Sequence, residues 1–186
     1  MQKYKIVFQG KTKKGSEIVI RYPVIEDAEN LMNFINELSQ EKTFILKQGE
    51  QMDLKGEKKF LIDMIKKINK KQAIMLLVVN NNTIIGNCRV DLQEKVHSHV
   101  GNLGISIAKD FRGEGLGKLL MRITLKKAKK NFLSLKIITL GVFANNAIAQ
   151  TMYKQMGFIE YGRLPQAIMH RGQYIDHILF YKNVET

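Results

Sequence analysis

The order of extended and helical segments predicts an α+β fold, a mixed, mostly antiparallel twisted sheet flanked by helices. Three observations carry that prediction. Short β-rich apolar runs recur along the chain and several are joined by tight turns. Two amphipathic helical stretches lie between the first pair of runs and the next. Two more follow a glycine-rich turn at residues 113–117.

The elements follow in order. Lys3 to Phe8 and Glu17 to Arg21 read as strands around the turn Gly10-Lys-Thr-Lys-Lys-Gly15, an N-terminal hairpin over residues 3–22. Ile25 to Leu38 repeats apolar residues at Ile25, Ala28, Leu31, Met32, Ile35 and Leu38, a helical period, with Glu26 and Asp27 suited to its first turn. Ser39 to Gly56 is polar and loop-like. A second helix, from about Glu57 to Asn69, gathers Phe60, Leu61, Met64, Ile65 and Ile68 on one face. Ile74 to Val79, a turn at Asn80 to Asn82, and Thr83 to Leu92 make a hairpin. Residues 97–108 form the next strand and lead into the glycine turn.

Beyond that turn, a helix from about Gly115 to Lys130 places Leu116, Leu119, Leu120 and Ile123 inward, with Arg122, Lys126 and Lys129 outward. Leu135 to Val142 is a buried strand and Asn146 to Met156 a helix, with asparagine expected as its cap. Phe158 to Arg163 and Tyr174 to Tyr181 are the closing strands. No repeat or interdomain linker interrupts the chain. A single domain over residues 1–186, with its core at 23–182, is the expectation.

Composition narrows the function classes. With 45% hydrophobic residues the chain can bury a full core, and no apolar run approaches the roughly 20 residues of a membrane span. Its start, Met1-Gln-Lys-Tyr-Lys-Ile6, lacks the apolar segment of a secretory signal. One cysteine, Cys88, permits no internal disulfide and no cysteine-built metal cage, so the expected compartment is the reducing cytoplasm and no metal is expected. Thirty Lys plus Arg against 17 Asp plus Glu give a net charge of +13, a field that attracts acidic partners. No nucleic-acid module accompanies it. Nucleic acid is therefore not the expected partner, and steeply salt-dependent binding would be the mark of that reading. A homodimer is compatible with all of this.

The sequence Arg112-Gly-Glu-Gly-Leu-Gly117, set between an apolar strand and a helix, has the form of a phosphate cradle. Alternate glycines allow backbone conformations closed to residues with a Cβ, so successive N–H groups converge on an anion. The helix starting at Leu116 adds unpaired N-terminal donors, and Arg112 and Lys118 supply counter-charge. Two other glycine-rich loops fail on spacing: Gly117-Lys118 is followed by Leu119 rather than Ser or Thr, and a dinucleotide loop wants glycine where Lys118 stands. A turn with glycines for tight packing alone is the bland alternative.

Together, Arg112-x-x-Gly115-x-Gly117 and Asn146-x-x-Ala149-x-x-x-Tyr153-x-x-x-Gly157-Phe158 resemble the two signature segments of the GNAT superfamily of acetyl-CoA-dependent N-acetyltransferases. The likeness covers roughly residues 16–182. It implies a sheet split into a V beside residues 100–107, with the pantetheine arm on the backbone of Ile105, Ser106 and Ile107 and the phosphates on Arg112, Gly113, Glu114, Gly115, Leu116, Gly117 and Lys118. It further implies that Asn145 and Asn146 touch the cofactor arm, that Tyr153 protonates the leaving thiolate, and that residues 39–56 wall the acceptor cleft. Where many members carry a basic glutamate, this chain has Asn102. His97, His99, Asp91, Glu94 or water are the remaining candidates for the base.

The closing segments Glu160 to Leu164 and Gly172 to Asp176 resemble the subgroup holding ribosomal-protein, polyamine and amino-acid N-acetyltransferases. The function implied is transfer of acetyl from acetyl-CoA, with coenzyme A as product, to a primary amine of a small molecule or a peptide N-terminus in a ternary complex. A cationic acceptor would need an acidic patch such as Glu26, Asp27 and Glu41. The alternative reading is a non-catalytic sensor or scaffold that binds acyl-CoA.

Overall fold

In the computed structural model, which describes residues 5–184, eight strands form one sheet in the order β1-β2-β3-β4-β5-β6-β8-β7. They are β1 (Ile6–Lys11), β2 (Glu17–Arg21), β3 (Ala73–Asn80), β4 (Thr83–Leu92), β5 (Val100–Ile107), β6 (Ile137–Phe143), β7 (Ile159–His170) and β8 (Gln173–Asn183). Four α-helices flank them: α1 (Ala28–Gln40), α2 (Leu54–Asn69), α3 (Leu116–Asn131) and α4 (Ala147–Gln155). Every strand pair is antiparallel except β5 with β6. The α+β prediction is met.

β3 explains the layering. Its residues Ala73 to Val78 are all buried, which a strand achieves only when both faces of its sheet are covered. Ala73, Met75 and Leu77 pack with Leu31, Phe34 and Leu38 of α1 and Leu61 and Met64 of α2. Ile74, Leu76 and Val78 face the other way, toward Leu116, Leu120 and Met121 of α3. Side-chain alternation therefore defines two faces, one under α1 and α2, the other under α3 and α4. The first of these is tied to the sheet by a buried pair: Arg21 Nη1 and Nη2 donate to Asp27 Oδ2 and Oδ1 at 2.7 and 2.6 Å.

Several boundaries differ from expectation, each for a local reason. Residues 3 and 4 of the predicted first strand lie outside the described residues, and β1 runs on through Lys11 because Gly10 and Lys11 pair with Ile18 and Glu17. α2 starts three residues early at Leu54, where Asp53 accepts a bond from the Gly56 N–H at 2.7 Å. Lys95 to His97 form a single 3-10 turn, so β5 begins at Val100 rather than 97. β7 and β8 are far longer than predicted. Pro165 is accommodated in β7 because the pairing slips between Leu164 and Ile168 on this edge strand.

The parting of β5 from β6 positions the site. Their parallel pairing covers only Val100 with Ile137, Gly101 with Ile138 and Asn102 with Thr139. Beyond that point β5 stays paired with β4 as far as Ile107, while β6 turns away with β8. The sheet is split into the V that the resemblance implied.

Candidate functional site

The phase of the β4–β5 ladder decides which backbone groups face the split. Ala108 donates its N–H to Ile85 O at 2.8 Å, and Gly86 stands opposite Ile107. Ile107 is therefore a non-hydrogen-bonded position toward β4, and the N–H and C=O of Ile107, Ile105 and Leu103 point into the gap. Ser106 alternates with them and turns its backbone toward Asn87 of β4. This refines the expected trio: Ile105 and Ile107 aim at the gap, and Ser106 does not. The Ile107 carbonyl already accepts a bond from Arg112 Nε at 2.9 Å.

At the wide end of the gap lies the glycine turn. Gly113 and Gly115 have φ of +76° and +77°, the left-handed conformation that favours glycine, and Gly115 is the residue before α3. A Cβ built on Gly113 would meet no heavy atom within 4 Å. The concave side of the turn is open, and α3 directs its N-terminal donors there, a geometry that fits an anion. Leu116 is buried under the turn, while Gly117 and Lys118 are half-buried in the first turn of α3.

Two side chains of the predicted cradle have other partners. Arg112 donates to Glu41 Oε2 at 2.8 Å, clamping the end of α1 to the turn. Glu114 turns its side chain away from the concavity and buries it against the β1–β2 loop, with Lys14 Nζ 3.4 Å from its Oε1. The Thr12 hydroxyl, and then Lys14, hold this carboxyl below the usual glutamate range. A consequence escaped sequence reasoning: the loop brings Lys13 to the turn, its Cε 3.4 Å from a Cβ built on Gly115. A cross-sheet docking of this kind leaves no periodicity to read.

Tyr153, on α4, sits at the narrow end of the gap on the α3 face. It packs beside Phe158 and Phe180 with ring centroids 6.0 and 6.2 Å away, and its residue is 7% exposed. Its hydroxyl has no hydrogen-bond partner among the described residues, which disposes of the tyrosine fixed to backbone. Burial, then the nearby Cys88 sulfur, raises its pKa above the ordinary tyrosine value. Cys88 stands opposite Ile105 and is wholly buried, its thiol pushed up to about 12 by desolvation.

Asn146 caps α4, its Oδ1 accepting from the Ala149 N–H at 3.2 Å. Asn145 bonds through its amide to His170 Nδ1 at 3.1 Å, and His170 Nε2 donates to Lys42 O at 3.0 Å. Both ring nitrogens of this buried histidine are thus occupied, and the ring packs in a three-membered cluster with Phe44 and Phe143, which also touch each other. It fastens the loop after α1 to the ends of β6 and β7. No spacing in the sequence linked residues 42, 145 and 170.

The base candidates fare differently. His97 and His99 are exposed below the closed end of the V, before β5 begins. Ile105 is six residues beyond His99, about 20 Å along a strand, so neither histidine serves the gap. Glu94 also precedes β5. Asp91 lies opposite Asn102 on β4 and pairs with Arg89 at 3.4 Å. Of the acidic residues that a cationic acceptor would need, Asp27 is buried against Arg21 and Glu41 is held by Arg112.

The sequence model of the "Acetyltransferase (GNAT) family" matches residues 32–158, from within α1 to just past α4. An L-amino acid N-acetyltransferase of Escherichia coli (strain K12) is 31% identical over 94 residues, half of this chain and 57% of that protein. A crystal structure of an acetyltransferase of GNAT family from Streptococcus pneumoniae superposes with a TM-score of 0.82 at 26% identity, covering 91% of this chain and 100% of that one. A ribosomal L7/L12 alpha-N-protein acetyltransferase solved in complex with coenzyme A superposes with a TM-score of 0.78 at 13% identity, covering 97% and 98%. No helix among the described residues is long and apolar enough to cross a membrane.

Proposed function

Because the chain belongs to the GNAT acetyltransferase family, we propose that it transfers acetyl from acetyl-CoA to a primary amine by direct attack within a ternary complex. The observation that carries this reading is the parting of β5 from β6 beyond Asn102, which leaves the backbone of Ile105 facing the gap between the left-handed glycine turn and the unpartnered hydroxyl of Tyr153. Acetyl-CoA supplies the thioester. The turn and the first N–H groups of α3 hold its phosphates, with Lys118 and Lys13 as counter-charges. Ile105 offers an N–H and a C=O to the pantetheine amides in the manner of an added strand.

In the transfer, nitrogen bonds to the acetyl carbon, the carbon–sulfur bond breaks and the amine loses a proton. Tyr153 gives a proton to the departing sulfur. A phenol with a raised pKa suits this role better than its value in water suggests, since the burial that raises it also raises a thiol beside it, as Cys88 illustrates. Rate comes from holding amine and thioester in line.

The acceptor is an amino acid, another small amine or a peptide N-terminus, entering under the loop after α1 that Phe44 and His170 pin. Thiol release from acetyl-CoA across a panel of such amines, with the +42 mass shift of acetylation read on each acceptor, tests the reading. Binding of acetyl-CoA without acetylation of any amine would favour a non-catalytic sensor instead.

A further inference from the structure

Two glycines stand across the split from one another at the level where the strands part. The last parallel pair is Asn102 with Thr139. Two residues further on, with side chains destined for the same face, come Gly104 of β5 and Gly141 of β6. Neither carries a Cβ, so the face under α1 and α2 has a notch directly over the gap. At Gly104 the nearest atoms to a built Cβ belong to Arg89, at 3.9 Å. At Gly141 the notch has one occupant: the imidazole of His177, from β8, brings its Nε2 end against the glycine, its Cε1 2.7 Å and Cδ2 3.2 Å from a built Cβ, with Nε2 closer still.

His177 differs from the other three histidines. It is half-buried, and its ring takes no hydrogen bond or ion pair among the described residues. His170 has both nitrogens engaged, and His97 and His99 lie beyond the closed end of the V. On β6, β7 and β8 the face around His177 is uncharged: Thr139, Gly141 and Phe143 on β6, Leu164 opposite it on β7, and Ile175 and Leu179 on β8; on β4 the same face carries Arg89, at the Gly104 side of the notch and paired with Asp91 at 3.4 Å. The charged neighbours Asp176 and Arg163 bond to each other from alternate positions. Over this face, Glu41 is held by Arg112, Lys42 offers its carbonyl to His170, Lys47 lies toward Glu57, and Glu57 faces Arg89, one strand back from the gap.

We infer that His177 is the general base of the transfer, taking the proton of the acceptor amine in the Gly104–Gly141 notch while Tyr153 protonates the sulfur from the opposite face of the sheet. The inference rests on the acetyltransferase reading and supplies the base that Asn102 cannot be, because an amide accepts no full proton. An imidazole nitrogen accepts the proton as the amine nitrogen bonds to the acetyl carbon. The carbon–sulfur bond breaks, the sulfur takes the phenol proton, the imidazolium returns its proton to water, and the phenolate takes one back from water, so both groups are reset. Gly141 is required because any side chain there would displace the ring. His177 also lies outside residues 32–158, so the family's shared segment does not include it.

The test compares wild type, His177→Gln and Gly141→Ala in acetyl-CoA thiol release with the best acceptor from the amine panel. Alongside it come calorimetric coenzyme A affinity, thermal melting and NMR titration of the histidine ring protons. His177→Gln is expected to lower kcat/KM at pH 7 by about 100-fold and to move the acidic limb of the pH profile up to the acceptor's own pKa. Its rate should recover above the acceptor's own pKa, where the amine is already neutral. Coenzyme A affinity should stay within about twofold of wild type, and the wild-type acidic limb should coincide with the titration of the ring resonance lost in the variant. Gly141→Ala, which keeps the histidine but moves it, should lose rate with the same pH signature. A His177→Gln enzyme that keeps its kcat/KM and its acidic limb overturns the inference and leaves the acetyltransferase reading standing. A wild-type protein that binds no coenzyme A and releases no thiol overturns both.

Discussion

Tyr153→Phe removes one oxygen from a ring packed against Phe158 and Phe180 and changes no packing volume of consequence. If the hydroxyl were anchored to backbone, its loss would cost about 0.5–1.5 kcal/mol of stability. The structure gives it no protein partner, so that loss should be absent and the urea midpoint should stay level or rise. Turnover should behave in the opposite way. A positioned acid contributes about 10²–10⁴-fold, so kcat should fall by at least about 100-fold while the Kd for coenzyme A holds. The pH profile adds a second check. Burial raises this phenol above its ordinary value of 10, so no basic limb from its ionisation should be visible up to pH 10. The assay is thiol release at saturating acetyl-CoA, paired with urea unfolding. A variant that turns over like wild type, or that loses more than about 1 kcal/mol of stability, refutes the reasoning.

Three further outcomes test other parts of the argument. Gly113→Ala forces a Cβ into the left-handed region and into the open concavity: stability should fall by about 1 kcal/mol, and calorimetric coenzyme A affinity by at least about tenfold, an unchanged affinity refuting the cradle. Asp27→Ala leaves Arg21 buried without its carboxylate and should cost about 3–5 kcal/mol in urea unfolding, a loss below 1 kcal/mol contradicting the buried-pair account. Glu57 is a buried carboxyl raised by desolvation against the milder pull of Lys47 and Arg89. The folded state therefore holds its proton more tightly than the unfolded state, and stability declines as pH climbs from the unfolded value near 4.3 through the higher folded one. Glu57→Gln should be more stable than wild type at pH 7, with the difference gone below about pH 4.

What could be read from the chain without its structure was what local chemistry encodes. The asparagine cap of α4, the two left-handed glycines before α3 and the buried run Ala73 to Val78 follow from rules that operate within a few residues. Sequence patterning erred or fell silent where distant elements meet. Arg112 has the right identity and position for a phosphate ligand, but Glu41, 71 residues away, binds it. Glu114 sits in a run of backbone donors, but its side chain serves to seat the β1–β2 loop. His177 carries no spacing clue because its relation to Gly141 is across strands, set by a register that β6 and β8 adopt only once the sheet has formed.

That register also puts Tyr153 and His177 on opposite faces of the sheet. On a strand, neighbouring side chains take opposite faces, so a split sheet gives a thioester two unlike walls. The α3 face near the gap is apolar, with Cys88, Phe158 and Phe180 around Tyr153, and such surroundings keep a phenol protonated until sulfur bears charge. On the α1 and α2 face, Gly104 and Gly141 leave room for a hydrated amine, and His177 is half-exposed there. A proton can leave to water from that side without water reaching the sulfur. Filling the notch with Gly104→Val should suppress acetylation while sparing coenzyme A affinity, since the glycine turn proposed to hold the phosphates lies beyond the end of β5 at Ile107.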